Sequence, residues 1–183
     1  TTTAPGVDAR FRRLHEGLDA LQLRLCAMSK AGDSYVGIHL AAHRMIGELL
    51  IAEGVLKCSI EEALERAYTS VFFPHGVGHH LGIQVHDIGG RQKTREGGVV
   101  PPPEGHPYLR NTRLMEPGHV FTIEPGLYFV GMLLEPHREG PSRSAFNWDV
   151  IDALAPFGGI RVEDNVLVTE AGHRNLTREH LPN

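Results

Sequence analysis

Apolar positions recur at steps of three and four through the first third of the chain. Between residues 9 and 30, Phe11, Leu14, Leu18, Leu21, Leu25 and Met28 draw a single stripe, which predicts an amphipathic helix with one buried face. Residues 35 to 54 repeat the pattern with Ile38, Ala41, Ala42, Met45, Leu49 and Ala52, and Gly32 between the two segments suits a helix stop. Ser59 and Glu62 have capping-box spacing, so a third helix is expected to run to about Ser70. His39 and His43 lie four apart on the second helix. No Glu accompanies them as in a zinc-protease helix, so a surface or hydrogen-bonded pair is expected rather than a chelate.

From Pro74 to Gly140 the pattern changes, because 20 of the chain's 33 Gly and Pro residues fall there and exclude long helices. Period-two alternation predicts strands at Ile83 to His86, Val120 to Glu124 and Leu127 to Val130, and a hairpin from Ile160 to Thr169 that turns at Asp164 and Asn165. Residues 91 to 107, RQKTREGGVVPPPEGHP, read as an exposed excursion stiffened by Pro101, Pro102 and Pro103. Helices followed by strands predict an α+β layer. At 183 residues, with no internal repeat and no separating linker, one domain is expected.

Composition narrows the partners. Eighteen basic against 22 acidic residues leave a formal charge of -4, which offers a polyanion no electrostatic grip, so nucleic acid is not expected. No apolar run approaches the ~18 residues of a membrane span. Cys26 and Cys58 lack paired spacing, which argues against a disulfide scaffold or a thiolate zinc site and for a reducing, cytoplasmic setting. The opening residue is not Met, which points to a fragment or processed product. Twelve His outnumber eleven Phe and Tyr, and four of them lie between His75 and His86.

Three segments put charged or ligating groups between apolar neighbours: PHGVGHHLGIQVHD at 74 to 87, FTIEPG at 121 to 126, and GGIRVEDN at 158 to 165. Alternation sets Thr122 and Glu124 on one strand face and Phe121 and Ile123 on the other, and Pro125 ends the strand beside the carboxylate. Arg161 and Glu163 likewise share a face opposite Ile160 and Val162. His79 and His86 are seven apart, so an unbroken strand would separate them; Gly82 can supply the turn that reunites them. The glycines do not make a dinucleotide fingerprint, and HExxH, GxSxG and phosphate-loop patterns are absent. One imidazole with two carboxylates is a mixed N/O set that suits zinc, manganese or cobalt, and metal-assisted hydrolysis is the natural reading. The structural alternative is a set of hydrogen-bonded strand residues.

HGVGHHLGIQVHD, FTIEPGLYF and FGGIRVEDN, in that order, resemble the dinuclear metallopeptidases of the pita-bread fold, and most closely the Xaa-Pro dipeptidases, or prolidases. YLRNTR at 108 to 113 and FNWDVIDALAPFGG at 146 to 159 extend the resemblance over essentially the whole chain. It implies a curved antiparallel sheet covered by helices, with His79, Glu124 and Glu163 as metal ligands. It also implies His86 and His75 as site-lining imidazoles, Arg110 as receiver of the dipeptide carboxylate, Arg161 as a second substrate-side Arg, and Tyr128 as a supporting partner. Two divalent ions are implied, manganese first and zinc or cobalt next, in a homodimer acting on Xaa-Pro dipeptides.

Such a site has five protein ligands, and the resemblance places the other two, both Asp, on strands that precede the helices seen here. The chain therefore resembles the C-terminal part of the catalytic domain, without the N-terminal domain and first catalytic strands. Two divalent cations bring +4, whereas Glu124 and Glu163 return only -2. Alone, the chain is expected to hold at most one metal weakly and to be inactive, with the N-terminal portion as its necessary partner. In the complete site Glu124 is expected to shuttle the proton, and His86 and His75 to stabilise the oxyanion. The alternatives are a binding module that kept the fold, or another reaction of the same fold, of aminopeptidase P, methionine aminopeptidase or creatinase type.

Overall fold

The computed structural model describes residues 2–94 and 96–181; of the excursion at 91 to 107, only Arg95 lies outside the described residues. In chain order the elements are α1 (Ala9–Ala27), α2 (Tyr35–Ala52), α3 (Ile60–Glu65), α4 (Tyr68–Phe72), β1 (Gln92–Thr94), β2 (Gly97–Val99), β3 (Val120–Ile123), β4 (Gly126–Tyr128), α5 (Gly131–Arg138), α6 (Trp148–Leu154), β5 (Gly159–Arg161), β6 (Asp164–Thr169) and β7 (Gly172–Asn175). They form two compact units. One comprises the residues up to Leu21, His43–Pro74 and Gly126–Val162; the other comprises Gln22–Ala42, His75–Pro125 and the residues from Glu163 on. Two of the five boundaries fall inside α1 and α2, and the others follow Pro74, Pro125 and Val162. No helix among the described residues is long and apolar enough to cross a membrane.

The α1 stripe is as expected: Phe11, Leu14, Leu18, Leu21 and Leu25 are all buried, and Asp8 accepts from the backbone N–H groups of Arg10 and Phe11 to cap the start. The helix stops at Ala27 rather than residue 30, because its last turn tightens through Met28 N–H to Leu25 O and Ser29 N–H to Cys26 O. In α2 the buried face differs from the expected one. Ile38, Ala42, Ile46 and Leu50 are fully buried, while Ala41, Met45 and Leu49 depart from the fully buried row and Ala52 lies outside it. The stripe has rotated to take in His39 and His43, which are buried, not on the surface, and both are hydrogen-bonded. A buried imidazole is tolerated because its nitrogens find partners.

The expected third helix is two. Ser59 caps α3 through Glu62 N–H, but Ala67 adopts φ 53°, a left-handed conformation that ends the helix before Tyr68 starts α4. The break lets Tyr68, Val71 and Phe72 all be buried. In this first unit Tyr68 and Phe72 meet Phe146, which stacks on Trp148 at 5.3 Å between ring centroids, and the Arg138 guanidinium lies 4.3 Å from the Trp148 ring. Strands β4 and β5 pair antiparallel here, Gly126 opposite Arg161 and Tyr128 opposite Gly159.

The second unit holds an antiparallel sheet in the order β3-β6-β7 and the β1–β2 ribbon. No turn occurs at Asp164 and Asn165, contrary to expectation. Residues 164 to 169 are one strand, the central one, and the hairpin turns instead at Glu170 and Ala171, between Thr169 and Gly172. The reason lies in Asp164, which is 2% exposed and accepts from Asn175 Nδ2 at 2.7 Å and Arg178 Nε at 2.8 Å. A carboxylate so bound cannot sit at a solvated turn. Asp164→Ala is expected to destabilise the protein by ~1–3 kcal/mol, since it deletes the buried acceptor that Asn175 Nδ2 and Arg178 Nε share; a denaturant midpoint unchanged from wild type would remove Asp164 from the folding energetics. The expected strand at Ile83 to His86 is also absent. Residues 81 to 87 form a loop with Ile83 103% and Val85 72% exposed, because no partner strand among the described residues runs beside them.

Candidate metal centre

The histidine motif is positioned by β3. Glu124 N–H donates to Val77 O at 2.8 Å, Thr122 N–H to His79 O at 2.9 Å, and Leu81 N–H to Val120 O at 2.9 Å. Residues 77 to 81 thus run along β3 and bring His79 opposite Thr122. Thr122 Oγ1 then serves both neighbours: it accepts from His79 N–H at 3.0 Å and donates to Glu124 Oε1 at 3.1 Å. Tyr35 Oη donates to the Thr122 carbonyl at 2.6 Å from a wholly buried ring. Burial, and then the Glu124 charge, raise the Tyr35 pKa well above that of an ordinary phenol and keep this proton in place.

Glu124 follows β3 and Glu163 precedes β6, so both lie just beyond the last registered pair, Ile123 opposite Asp164, one on each strand. The carboxylates therefore flank the end of one ladder. Ligating atoms of His79, Glu124 and Glu163 all lie within 4.8 Å of one another, with His79 and Glu124 buried and Glu163 exposed. His79 Nε2 is 3.3 Å from Glu124 Oε1. The other ring nitrogen, Nδ1, lies 3.0 Å from the His80 carbonyl, to which it donates, so Nε2 is the atom turned to Glu124. One imidazole nitrogen and two carboxylates within reach of a single point form a donor set that fits a divalent cation, with the N/O chemistry of manganese, zinc or cobalt.

The other expected site residues are less concentrated. His86 reaches the cluster: its ring meets His79 edge-on at 4.3 Å between centroids. The loop that returns it closes through Asp87 N–H to His80 O, and a side chain at Gly82 would displace the Asp87 carboxylate. His75 turns Nδ1 to the Gly76 carbonyl at 2.8 Å. His80, beside the cluster in sequence, packs its ring on His119 and Phe121 instead; burial first, then His119, push its pKa down to about 4, so that ring is neutral. Arg110 is exposed on the segment that follows the Pro-rich excursion. Arg161 and Tyr128 belong to the first unit, where Arg161 Nε donates to Tyr128 Oη at 2.6 Å.

A family model for metallopeptidase family M24 matches residues 1–170. The chain belongs to family M24. Among its M24 relatives, the chain is 52% identical over 179 residues to a Marinobacter nauticus protein described as Xaa-Pro dipeptidase, covering 97% of this chain and 40% of that protein. A Stenotrophomonas maltophilia protein of the same description is 47% identical over 178 residues, again covering 97% and 40%. The chain thus spans about 40% of the length of these relatives. Its structure is similar to zinc-substituted Escherichia coli aminopeptidase P in complex with product, with a TM-score of 0.65 at 27% identity, covering 96% of this chain and 33% of that one. The same enzyme with the inhibitor Pro-Leu matches equally well. This M24 chain has the pita-bread fold, with mixed helix and antiparallel sheet as expected.

Two supporting residues lie outside the set expected from sequence, Thr122 and Tyr35. A signal for Thr122 exists, since alternation sets it on the face of Glu124. Tyr35 carries no local signal, because its partner is 87 residues away.

Proposed function

We propose that the protein hydrolyses Xaa-Pro dipeptides at a two-metal centre, and that this chain supplies three of five ligands, His79, Glu124 and Glu163. The observation that supports this most is the opposition of His79 Nε2 and Glu124 Oε1, with Glu163 in reach. Bound divalent ions, manganese in this proposal, supply an acidified water and polarise the scissile carbonyl. Glu124, oriented by the Thr122 hydroxyl, takes a proton from the attacking water and passes it to the departing proline nitrogen. His86, and His75 at the start of the histidine motif, donate to the developing oxyanion. Arg161, oriented by its bond to Tyr128 Oη, supports the substrate side. The bond cleaved is a tertiary amide, so a peptidase that reads an amide N–H has nothing to bind there.

In this reading the chain is the C-terminal part of the catalytic domain, and the remaining two carboxylate ligands come from the portion of the relatives it does not span. The complete protein is a homodimer in a reducing cytoplasm; Cys26 and Cys58 are both free thiols, and burial, then the Asp164 charge, push Cys26 up to about 12. Purified full-length protein loaded with Mn²⁺ is expected to cleave Ala-Pro and to leave Ala-Pro-Ala largely uncut. Preference for the tripeptide would instead assign the aminopeptidase P reaction, the activity named for its structural neighbours. Arg110→Ala is expected to lower kcat/KM at least about tenfold more for the free dipeptide than for its C-terminal amide, as only the acid makes the charge-assisted pair. Equal losses would make Arg110 structural.

A further inference from the structure

His39 is a buried imidazole that the mechanism above does not use. It is 1% exposed and lies on α2, yet it touches two segments that both matter to the site. Its Nδ1 accepts the Val77 backbone N–H at 3.3 Å, two residues ahead of His79. Its Nε2 lies 3.0 Å from Nδ1 of His106, four residues ahead of Arg110. The proton order follows from the first bond. Because a backbone N–H can only donate, His39 Nδ1 bears the lone pair, Nε2 carries the proton, and His106 Nδ1 accepts it.

The two segments also meet directly. A side chain at Gly76 would place its Cβ 2.8 Å from Leu109 Cα and 3.0 Å from Tyr108 O, so the two backbones are in contact with no room for adjustment by side chains. The His106 side is braced further by Arg91, whose Nη2 donates to Leu109 O at 2.7 Å. A single buried ring therefore connects the loop that carries His79 to the segment that carries Arg110.

We infer that His39 is a positioning residue for dipeptide hydrolysis, setting through Val77 and His106 the spacing between the metal-ligand loop and the carboxylate-binding segment. This rests on the functional reading above. Asn and Gln side chains separate the two bonds, because an Asn amide reaches the Nδ1 position and a Gln amide the Nε2 position. In the full-length protein, His39→Asn keeps an acceptor for Val77 and loses His106; KM for Ala-Pro is expected to rise about tenfold with kcat and Mn²⁺ affinity near wild type. His39→Gln keeps the donor to His106 and releases Val77; Mn²⁺ affinity and kcat are expected to fall about tenfold with KM little changed, the scale of effect seen when groups supporting a ligand are removed. His106→Ala, at a half-buried position, is expected to copy the Asn variant and serves if the His39 variants do not fold. Equal changes in kcat and KM across all three variants, or changes in melting temperature alone, would overturn the inference. If the wild-type protein binds Mn²⁺ but cleaves no Xaa-Pro dipeptide, the functional reading fails while the Mn²⁺ affinities still decide whether His39 orders the ligand loop.

Discussion

His79→Ala in the full-length protein is expected to reduce dipeptide hydrolysis by at least about 10³-fold, the scale that follows when several kcal/mol of metal-derived stabilisation are withdrawn. His79 is the only nitrogen ligand in the proposed set, and it is 4% exposed, so solvent cannot replace it without rearrangement. His80 cannot serve, since its ring packs against His119 and Phe121. The substitution removes one bond to the His80 carbonyl, a loss of ~1 kcal/mol. The melting temperature without metal should therefore fall modestly, while metal-induced stabilisation disappears. Metal analysis of the dialysed variant decides the matter: wild-type stoichiometry would reject His79 as a ligand, whatever the activity.

Gly78→Ala is expected to disable the site without touching a ligand. Gly78 has φ +156°, and a Cβ there would lie closer than 3.0 Å to the Thr122 carbonyl oxygen, Thr122 Oγ1 and Tyr35 Oη. Those atoms are the scaffold of the cluster: Thr122 holds both His79 and Glu124, and Tyr35 holds Thr122. No flexible side-chain end is available to yield, so residues 77 to 81 must move off β3. A shift of about 1 Å at the ligands corresponds to ~10²-fold in rate, with a stability loss of ~1–3 kcal/mol from overpacking. Gly37→Ala is the matched control. Gly37 lies on α2, where an added methyl group would have nothing within 4 Å, and a helical Ala is preferred to Gly by ~1 kcal/mol. Equal activity of the two variants would mean that the 77 to 81 segment does not set the ligand geometry.

Much of the candidate site is legible in the sequence. Alternation in FTIEPG puts Thr122 and Glu124 on one face, and the bond between them bears this out. The seven-residue gap between His79 and His86 demands a turn, and residues 81 to 87 make it, closed by Gly82 N–H to Gln84 O and Asp87 N–H to His80 O. The α1 stripe and the Ser59 cap are equally local signals, one a periodicity along a single helix and the other a bond spanning three residues. Pairing is what local pattern misses. The alternation at Ile83 to His86 looks like a strand, but alternation states only which side chains share a face and not whether a second backbone lies alongside. Asp164 and Asn165 are turn residues by propensity, yet Asp164 is buried against Asn175 and Arg178 and continues a central strand.

By itself, then, the sequence determined the features that nearest neighbours along the chain can fix: periodicity, caps, the position of Gly where backbones crowd, and the candidate ligating side chains. Tertiary structure decided which segments became partners. The run of residues 77 to 81 along β3, the rotation of the α2 stripe to bury His39 and His43, and the reach of Tyr35 to Thr122 each join groups far apart in the chain. Burying a polar group costs free energy unless a partner is supplied, and that partner can come from any segment the fold brings near. Local pattern cannot name it, because the solvation cost and the bond that offsets it are settled only when distant backbones meet.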